Sequence, residues 1–203
     1  MKKQAITTLF CDIGGVILTN GWDRGSRKKA ALQFGFDLEE FNSRHSMMFS
    51  DYEVGNITLD EYLKFAVFFQ PRSFSLEAFK AFVFEQSQAY PEMLEWVKKI
   101  KADHGLKVVM LSNEGKEITE HRMKSFQLNE IGDFFVVSCF IGVRKPARRI
   151  FDMALELCQV MPNQVVYLDD RQLFVDIGND MGMHAICHKD LSSTKLEFDI
   201  IIK

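Results

Sequence analysis

Asp12 sits in LFCDIGGVIL, an apolar run from Leu9 to Leu18 interrupted by one aspartate and two glycines. A short apolar run near the start of a chain reads as a buried strand, and Asp12 then stands where that strand stops. Carboxylates at the carboxyl ends of central parallel strands face the crevice in which open α/β sheets bind ligands. Gly14 and Gly15 let the chain turn tightly and bring bare backbone close to a ligand. Further along come Ser112-Asn113, Lys145-Pro146 and the pair Asp169-Asp170. Adjacent carboxylates repel, so Asp169 and Asp170 call for a cation or hydrogen-bond donors nearby. Each feature also has an ordinary reading: a polar turn after a strand, a helix cap, a solvated loop lysine.

For these residues to act together, the elements carrying them must end at one edge. Strands are expected at 107–111, 134–137, 165–168 and 184–187, with helices at 90–104, 116–127, 147–159 and 171–181. Such alternation predicts an α/β fold, a parallel sheet covered on both faces. Asp12, Ser112, Lys145 and Asp169-Asp170 then share one sheet edge. Residues 22–88 read differently, as helices at 24–35, 38–50, 58–69 and 75–87 without a convincing strand. Thr58 and Glu61 have capping-box spacing, and Leu76, Phe79, Phe82 and Val83 form an apolar stripe. The surrounding patch of Phe65, Phe68, Phe69, Phe74, Phe79, Phe82 and Phe84 reads as the core of a small helical bundle. The division expected is therefore one unit of residues 1–20 and 89–203, with residues 21–88 inserted.

A net charge of −3 gives no basic footprint for nucleic acid or an anionic membrane. No apolar run approaches the roughly 20 residues needed to span a bilayer. Entry into the first strand almost at once predicts no secretory leader and a cytoplasmic location. Cys11, Cys139, Cys158 and Cys187 are scattered without CxxC spacing, as expected of reduced thiols.

The order DIGGV, LSN, GVRKP, LDD resembles the haloacid dehalogenase superfamily of hydrolases across essentially the whole chain. That resemblance implies a Rossmann-like parallel sheet with a helical cap inserted between the first motif and the second. YEVGNIT, residues 52–58, is similar to a turn common in such caps. It further implies a phosphatase of small phosphorylated metabolites, similar to the sugar-phosphate branch, with Asp12 as nucleophile. Mg²⁺ would be held by Asp12, the Gly14 carbonyl, Asp169 and Asp170. Ser112, Asn113 and the backbone after them would donate to the phosphoryl oxygens, and Lys145 would supply compensating charge. Asp12 would form an aspartyl-phosphate that water hydrolyses.

Two positions depart from the family pattern. Many of its phosphatases carry an acid/base aspartate two residues after the nucleophile, where this chain has Gly14. A missing positioned acid costs on the order of 100- to 10,000-fold for a leaving group that needs a proton. A sugar 1-phosphate, whose leaving group departs easily, is therefore the favoured substrate, and a phosphoglucomutase role is disfavoured. Phe174 replaces a small polar residue common after the paired aspartates. Two alternatives remain: a metal-independent 2-haloacid dehalogenase, whose halide leaves unprotonated, and a catalytically weak phosphate-binding or interaction module. Asn20, Trp22, Asp23 and Arg24 are candidates for substrate contact, and Asp176 for support of the metal site. Arg144 is expected to be an exposed charge, His45, His104 and His121 solvated, His184 and His188 structural or on the surface, and Met47-Met48 part of the cap core.

Overall fold

The computed structural model describes residues 5–203; residues 1–4 of the expected first unit lie outside them. A single five-stranded parallel sheet has the order β3-β2-β1-β4-β5. Its strands are β1 (Thr8–Cys11), β2 (Lys107–Ser112), β3 (Phe134–Val137), β4 (Val165–Asp169) and β5 (His184–Cys187). Strand β1 is central, with β2 on one side and β4 on the other. The chain builds outward from β1 through β2 to β3, then returns to start β4 on the opposite side. The order therefore reverses beside β1, and ligands of open α/β sheets bind at such a switch point.

Successive strand residues point to opposite faces, so each strand feeds two cores. Leu9, Cys11, Val108, Met110, Val166 and Leu168 pack with Trp96 and Val97 of helix α5 (Pro91–His104). Phe10, Val109, Leu111 and Tyr167 pack with Ile150 and Phe151 of α8 (Arg148–Cys158) and with Phe174 of α9 (Gln172–Asp180). Helices α6 (Lys116–Ser125) and the short α7 (Ser138–Ile141) complete the connections. A last helix, α10 (Leu191–Ile202), was not anticipated; it places Phe198 edge-on to Trp96 at 5.4 Å. No helix among the described residues is long and apolar enough to cross a membrane.

Between β1 and α5 lie four helices: α1 (Arg24–Phe34), α2 (Leu38–Glu53), α3 (Leu59–Ala66) and α4 (Leu76–Glu85). Asp23, Asp37, Thr58 and Ser75 accept backbone N–H groups at their starts, and Thr58 with Glu61 forms the expected capping box. The phenylalanines pack as a core of their own: Phe79 is fully buried and meets Trp22, Phe34 and Phe74 at 5.9, 4.9 and 5.7 Å. Phe65 and Phe69 differ, standing over the Arg44 guanidinium at 5.7 and 3.5 Å. Of the methionine pair, Met48 joins this core but Met47 is 66% exposed.

The chain enters and leaves these helices side by side. Leu18 and Ala89 form an antiparallel bridge, and Thr19 N donates to the Gln88 carbonyl at 2.8 Å. The Thr19 hydroxyl donates to the Gln86 carbonyl at 2.7 Å and accepts from Gln88 N at 3.0 Å. Phe198→Ala empties a fully buried ring site and is expected to cost about 3–5 kcal/mol, read as a lower urea midpoint with an unchanged slope.

Candidate active site

Register explains why the acidic residues meet. Cys11 pairs with Leu168, so the next residues, Asp12 and Asp169, stand side by side at the carboxyl edge. Asp12 N donates to the Leu168 carbonyl at 2.9 Å. Carboxylate oxygens of Asp12, Asp169 and Asp170 all lie within 4.8 Å of one another. Burial raises the pKa of Asp12 and the Asp169 charge raises it further, while Lys145 opposes both.

Lys145 is wholly buried and lies between two of these carboxylates. Its Nζ is 3.0 Å from Asp12 Oδ2 and 2.6 Å from Asp169 Oδ2, and donates to the Leu111 carbonyl at 3.0 Å. Desolvation pulls its pKa down, but the two carboxylates prevail and leave it raised. Its backbone is fixed by Asn113, whose Oδ1 accepts Lys145 N and whose Nδ2 donates to Lys145 O, both at 2.8 Å. Asn113 thus has a role the sequence did not show, holding the Lys145 backbone with its Oδ1 and one of its two amide N–H donors. The Lys145-Pro146 peptide is cis.

Asp169 is also held by the Tyr167 hydroxyl on Oδ2 and by Arg171 N on Oδ1 at 2.9 Å. Asp170 differs. Its Oδ2 accepts from Asn20 Nδ2 at 3.1 Å, but its buried Oδ1 has no hydrogen-bond partner among the described residues. An orphaned carboxylate oxygen beside two further carboxylates fits a hard divalent cation with oxygen ligands. Gly15 makes room for it: at φ +78°, an added Cβ would stand 2.2 Å from Asp170 Oδ2. Phe174 faces Lys145, whose Nζ lies 5.1 Å from the ring centroid.

Beyond Asp12 opens a cavity of about 420 Å³, lined by the ends of these strands and by α1 and α2. Two of its ion pairs were not foreseen. Arg122, 1% exposed, pairs with Glu114 and donates from Nε to Ser87 Oγ and from Nη2 to the Thr19 carbonyl, both at 3.0 Å. Glu114 in turn accepts from the Ser112 hydroxyl at 3.3 Å. Arg144, expected to be an exposed charge, is half-buried and pairs with Glu53 at 2.6 Å, and burial raises the Glu53 pKa. The sequence signal for Glu114 was its place directly after Ser112-Asn113, and for Glu53 its place in YEVGNIT; Arg122 had none.

His45 also departs from expectation. It lines the cavity, half-buried, with Nδ1 2.7 Å from the Tyr62 hydroxyl. His121 stacks on Phe84 at 4.7 Å, His188 bonds Thr194 at 2.8 Å, and His104 is exposed. Trp22 is buried, with its indole N–H donating to Tyr62 at 3.0 Å. Asp23 accepts from Ser26 N, Asn20 bonds Asp170, and Asp176 is exposed and accepts from Gln172.

Residues 6–173 match the haloacid dehalogenase-like hydrolase family. Bifunctional epoxide hydrolase 2 of Sus scrofa is 26% identical over 217 residues, which cover 97% of this chain and 39% of that protein. The chain thus spans about two fifths of that relative's length. D-ribitol-5-phosphate phosphatase of Bacteroides thetaiotaomicron is 24% identical over 212 residues, covering 97% of this chain and 98% of that one. A solved HAD-family enzyme from B. thetaiotaomicron, in complex with magnesium and inorganic phosphate, has a TM-score of 0.76. It is 20% identical, with 94% of this chain and 99% of that one covered.

Removing one partner of a buried ion pair strands the other. Glu114→Ala is therefore expected to cost about 3–5 kcal/mol, and Glu114→Ala combined with Arg122→Met to recover most of it, both read by urea denaturation. Millimolar Mg²⁺ is expected to raise the melting temperature of the parent protein, and Gly15→Ala, by displacing Asp170, to abolish that rise.

Proposed function

Since this chain belongs to the haloacid dehalogenase-like hydrolases, we propose that it is a Mg²⁺-dependent phosphatase of small phosphorylated metabolites with Asp12 as nucleophile. The observation that carries this reading is the orphaned Asp170 Oδ1 among three crowded carboxylates beside a buried lysine. A dehalogenase acting without metal leaves that acidic cluster unexplained. The curated ribitol-5-phosphate phosphatase, matched over nearly its full length, supports the same reaction class.

Asp12, the Gly14 carbonyl, Asp169 and Asp170 are the residues that would hold Mg²⁺. When bound, the cation neutralises phosphoryl charge and so lowers the barrier to attack by an anion. Asp12 is fixed for that attack at both oxygens: Oδ1 accepts Ile13 N at 2.8 Å and Oδ2 faces Lys145. Its carboxylate oxygen forms the new bond to phosphorus as the ester P–O bond breaks, giving an aspartyl-phosphate. Water then attacks this phosphorus and releases Asp12. Lys145 stabilises negative charge throughout, and Ser112 turns its hydroxyl from Glu114 to the phosphoryl oxygens. The helices of residues 21–88 act as a cap, with its α2 end tied to the sheet unit through Glu53 and Arg144.

No side chain at position 14 protonates the leaving oxygen. The reading therefore expects substrates whose leaving group is stable as an anion, a sugar 1-phosphate before a simple alkyl phosphate. Turnover of p-nitrophenyl phosphate should require Mg²⁺, stop on chelation, and fall to background in Asp12→Asn. Unactivated alkyl phosphates should be slower by on the order of 100- to 10,000-fold. Equal rates on both classes would overturn the role given to Gly14. Chelator-insensitive release of halide from 2-chloropropionate would overturn the phosphatase reading itself.

A further inference from the structure

The basic side chains around the cavity divide into those with a carboxylate partner and those with none among the described residues; of the latter, Arg171 is exposed and stands over the Phe174 ring at 5.6 Å. Lys145, Arg122 and Arg144 each have a carboxylate partner. Arg27 has none among the described residues, although it lines the cavity and is half-buried. It is held by neutral acceptors: Nε donates to Asn42 Oδ1 at 3.1 Å and Nη1 to the Trp22 carbonyl at 3.0 Å. Burial lowers its pKa, the mark of a cation withdrawn from water without full compensation. Asp23 is the nearest acidic influence, but its Oδ1 caps α1 through Ser26 N at 2.7 Å. Arg24, also lining the cavity, has no ion-pair partner among the described residues either. A positioned guanidinium that lacks a counter-ion in a cavity is suited to a ligand that brings one.

The neutral groups beside Arg27 are arranged in the same sense. Indole N–H is only a donor, so Trp22 makes the Tyr62 oxygen an acceptor. The Tyr62 O–H is then directed to His45 Nδ1, 2.7 Å away. Burial and the Arg27 charge hold the His45 pKa at about 3, so the ring is neutral and carries its proton on Nε2. The α1 and α2 part of the lining thus offers N–H donors from Arg27, Arg24 and His45.

We propose that the phosphate ester taken by this site carries a second anionic group, a carboxylate or another phosphate, remote from the scissile phosphoryl group and bound by Arg27 with help from Arg24 and His45. The inference rests on the phosphatase reading and narrows its substrate class. Matched pairs of sugar 1-phosphates test it: galactose 1-phosphate against galacturonic acid 1-phosphate, and glucose 1-phosphate against glucose 1,6-bisphosphate. The member carrying the second anionic group should, in at least one pair, have the higher kcat/KM by about 10- to 100-fold, mostly through KM, as a charged hydrogen bond warrants. Which pair responds identifies carboxylate or phosphate. Arg27→Gln should bring that preference close to unity, and Arg27→Lys should retain most of it. Melting temperatures of both variants separate this from misfolding. No preference in either pair, or an equal loss on both members in Arg27→Gln, overturns the inference. Calorimetric binding of the same four compounds to Asp12→Asn protein with Mg²⁺ keeps the two readings apart. Arg27-dependent preference there, without any p-nitrophenyl phosphate turnover in the parent protein, sinks the phosphatase reading and leaves the anion site standing.

Discussion

A buried ammonium between two carboxylates is the constraint on which the site depends. Parallel pairing of β1 and β4 brings Asp12 and Asp169 to one height, and Asp170 follows directly. Negative charges this close and this buried oppose each other's ionisation. Lys145, reaching both Asp12 and Asp169, supplies permanent compensation. Yet one lysine cannot balance three carboxylates, and the orphaned oxygen of Asp170 marks where the balance is incomplete. The surrounding structure serves to keep that lysine in place. Asn113 clamps its backbone from β2, and the Leu111 carbonyl takes a third Nζ contact. Burial of the Tyr167 phenol beside the Asp169 carboxylate drives its pKa well up, so it remains a donor to that carboxylate.

A second buried cation links this edge to the helices above it. Arg122 reaches both chain segments that lead into and out of those helices, through the Thr19 carbonyl and the Ser87 hydroxyl. Its carboxylate partner, Glu114, accepts the hydroxyl of Ser112. One network of charge-assisted hydrogen bonds therefore runs from the connecting segments to the end of β2. Its members are buried, so each loses more by lacking its partner than it gains by having it. Displacement of the helices cannot leave Ser112 indifferent, because the same guanidinium orients the acceptor of its proton.

What the sequence disclosed divides along the range of the interactions concerned. Central parallel strands are continuous apolar runs, so 107–111 and 165–168 were readable, and each differs from its observed strand by one terminal residue. The ligand edge followed from strand ends alone. Helix α10 escaped because its exposed face carries Leu196 and Ile200, 65% exposed each, which blur the amphipathic period. Apart from Glu114, the missed site residues are defined by distant partners. Arg122 looks like any charged helix residue until Thr19 and Ser87 are beside it. His45 looks solvated until Tyr62, on another helix, takes its Nδ1. Asn113 was read as a ligand donor because its position is local information, whereas its clamp on Lys145 spans 32 residues.

The two adjacent glycines show how differently neighbouring positions can be constrained. Gly15 is required by contact: a side chain there would occupy the space of the Asp170 carboxylate. Gly14 has ordinary backbone and more room, and an added Cβ would stand 3.2 Å from Asn20 Oδ1 and 3.6 Å from Arg122 Nη1. A carboxylate at position 14 would therefore grow toward a buried guanidinium. Opposite charge at that range favours the ionised form and lowers the pKa, which suits neither proton donation to a leaving group nor the neutral state it needs. It would also compete with Glu114 for Arg122 and loosen the grip on Thr19 and Ser87. The absence of an acid at Gly14 and the presence of Arg122 are thus parts of one arrangement. Under the proposed function, charge is stabilised here by fixed cations rather than by a proton in transit, and the leaving group departs as an anion.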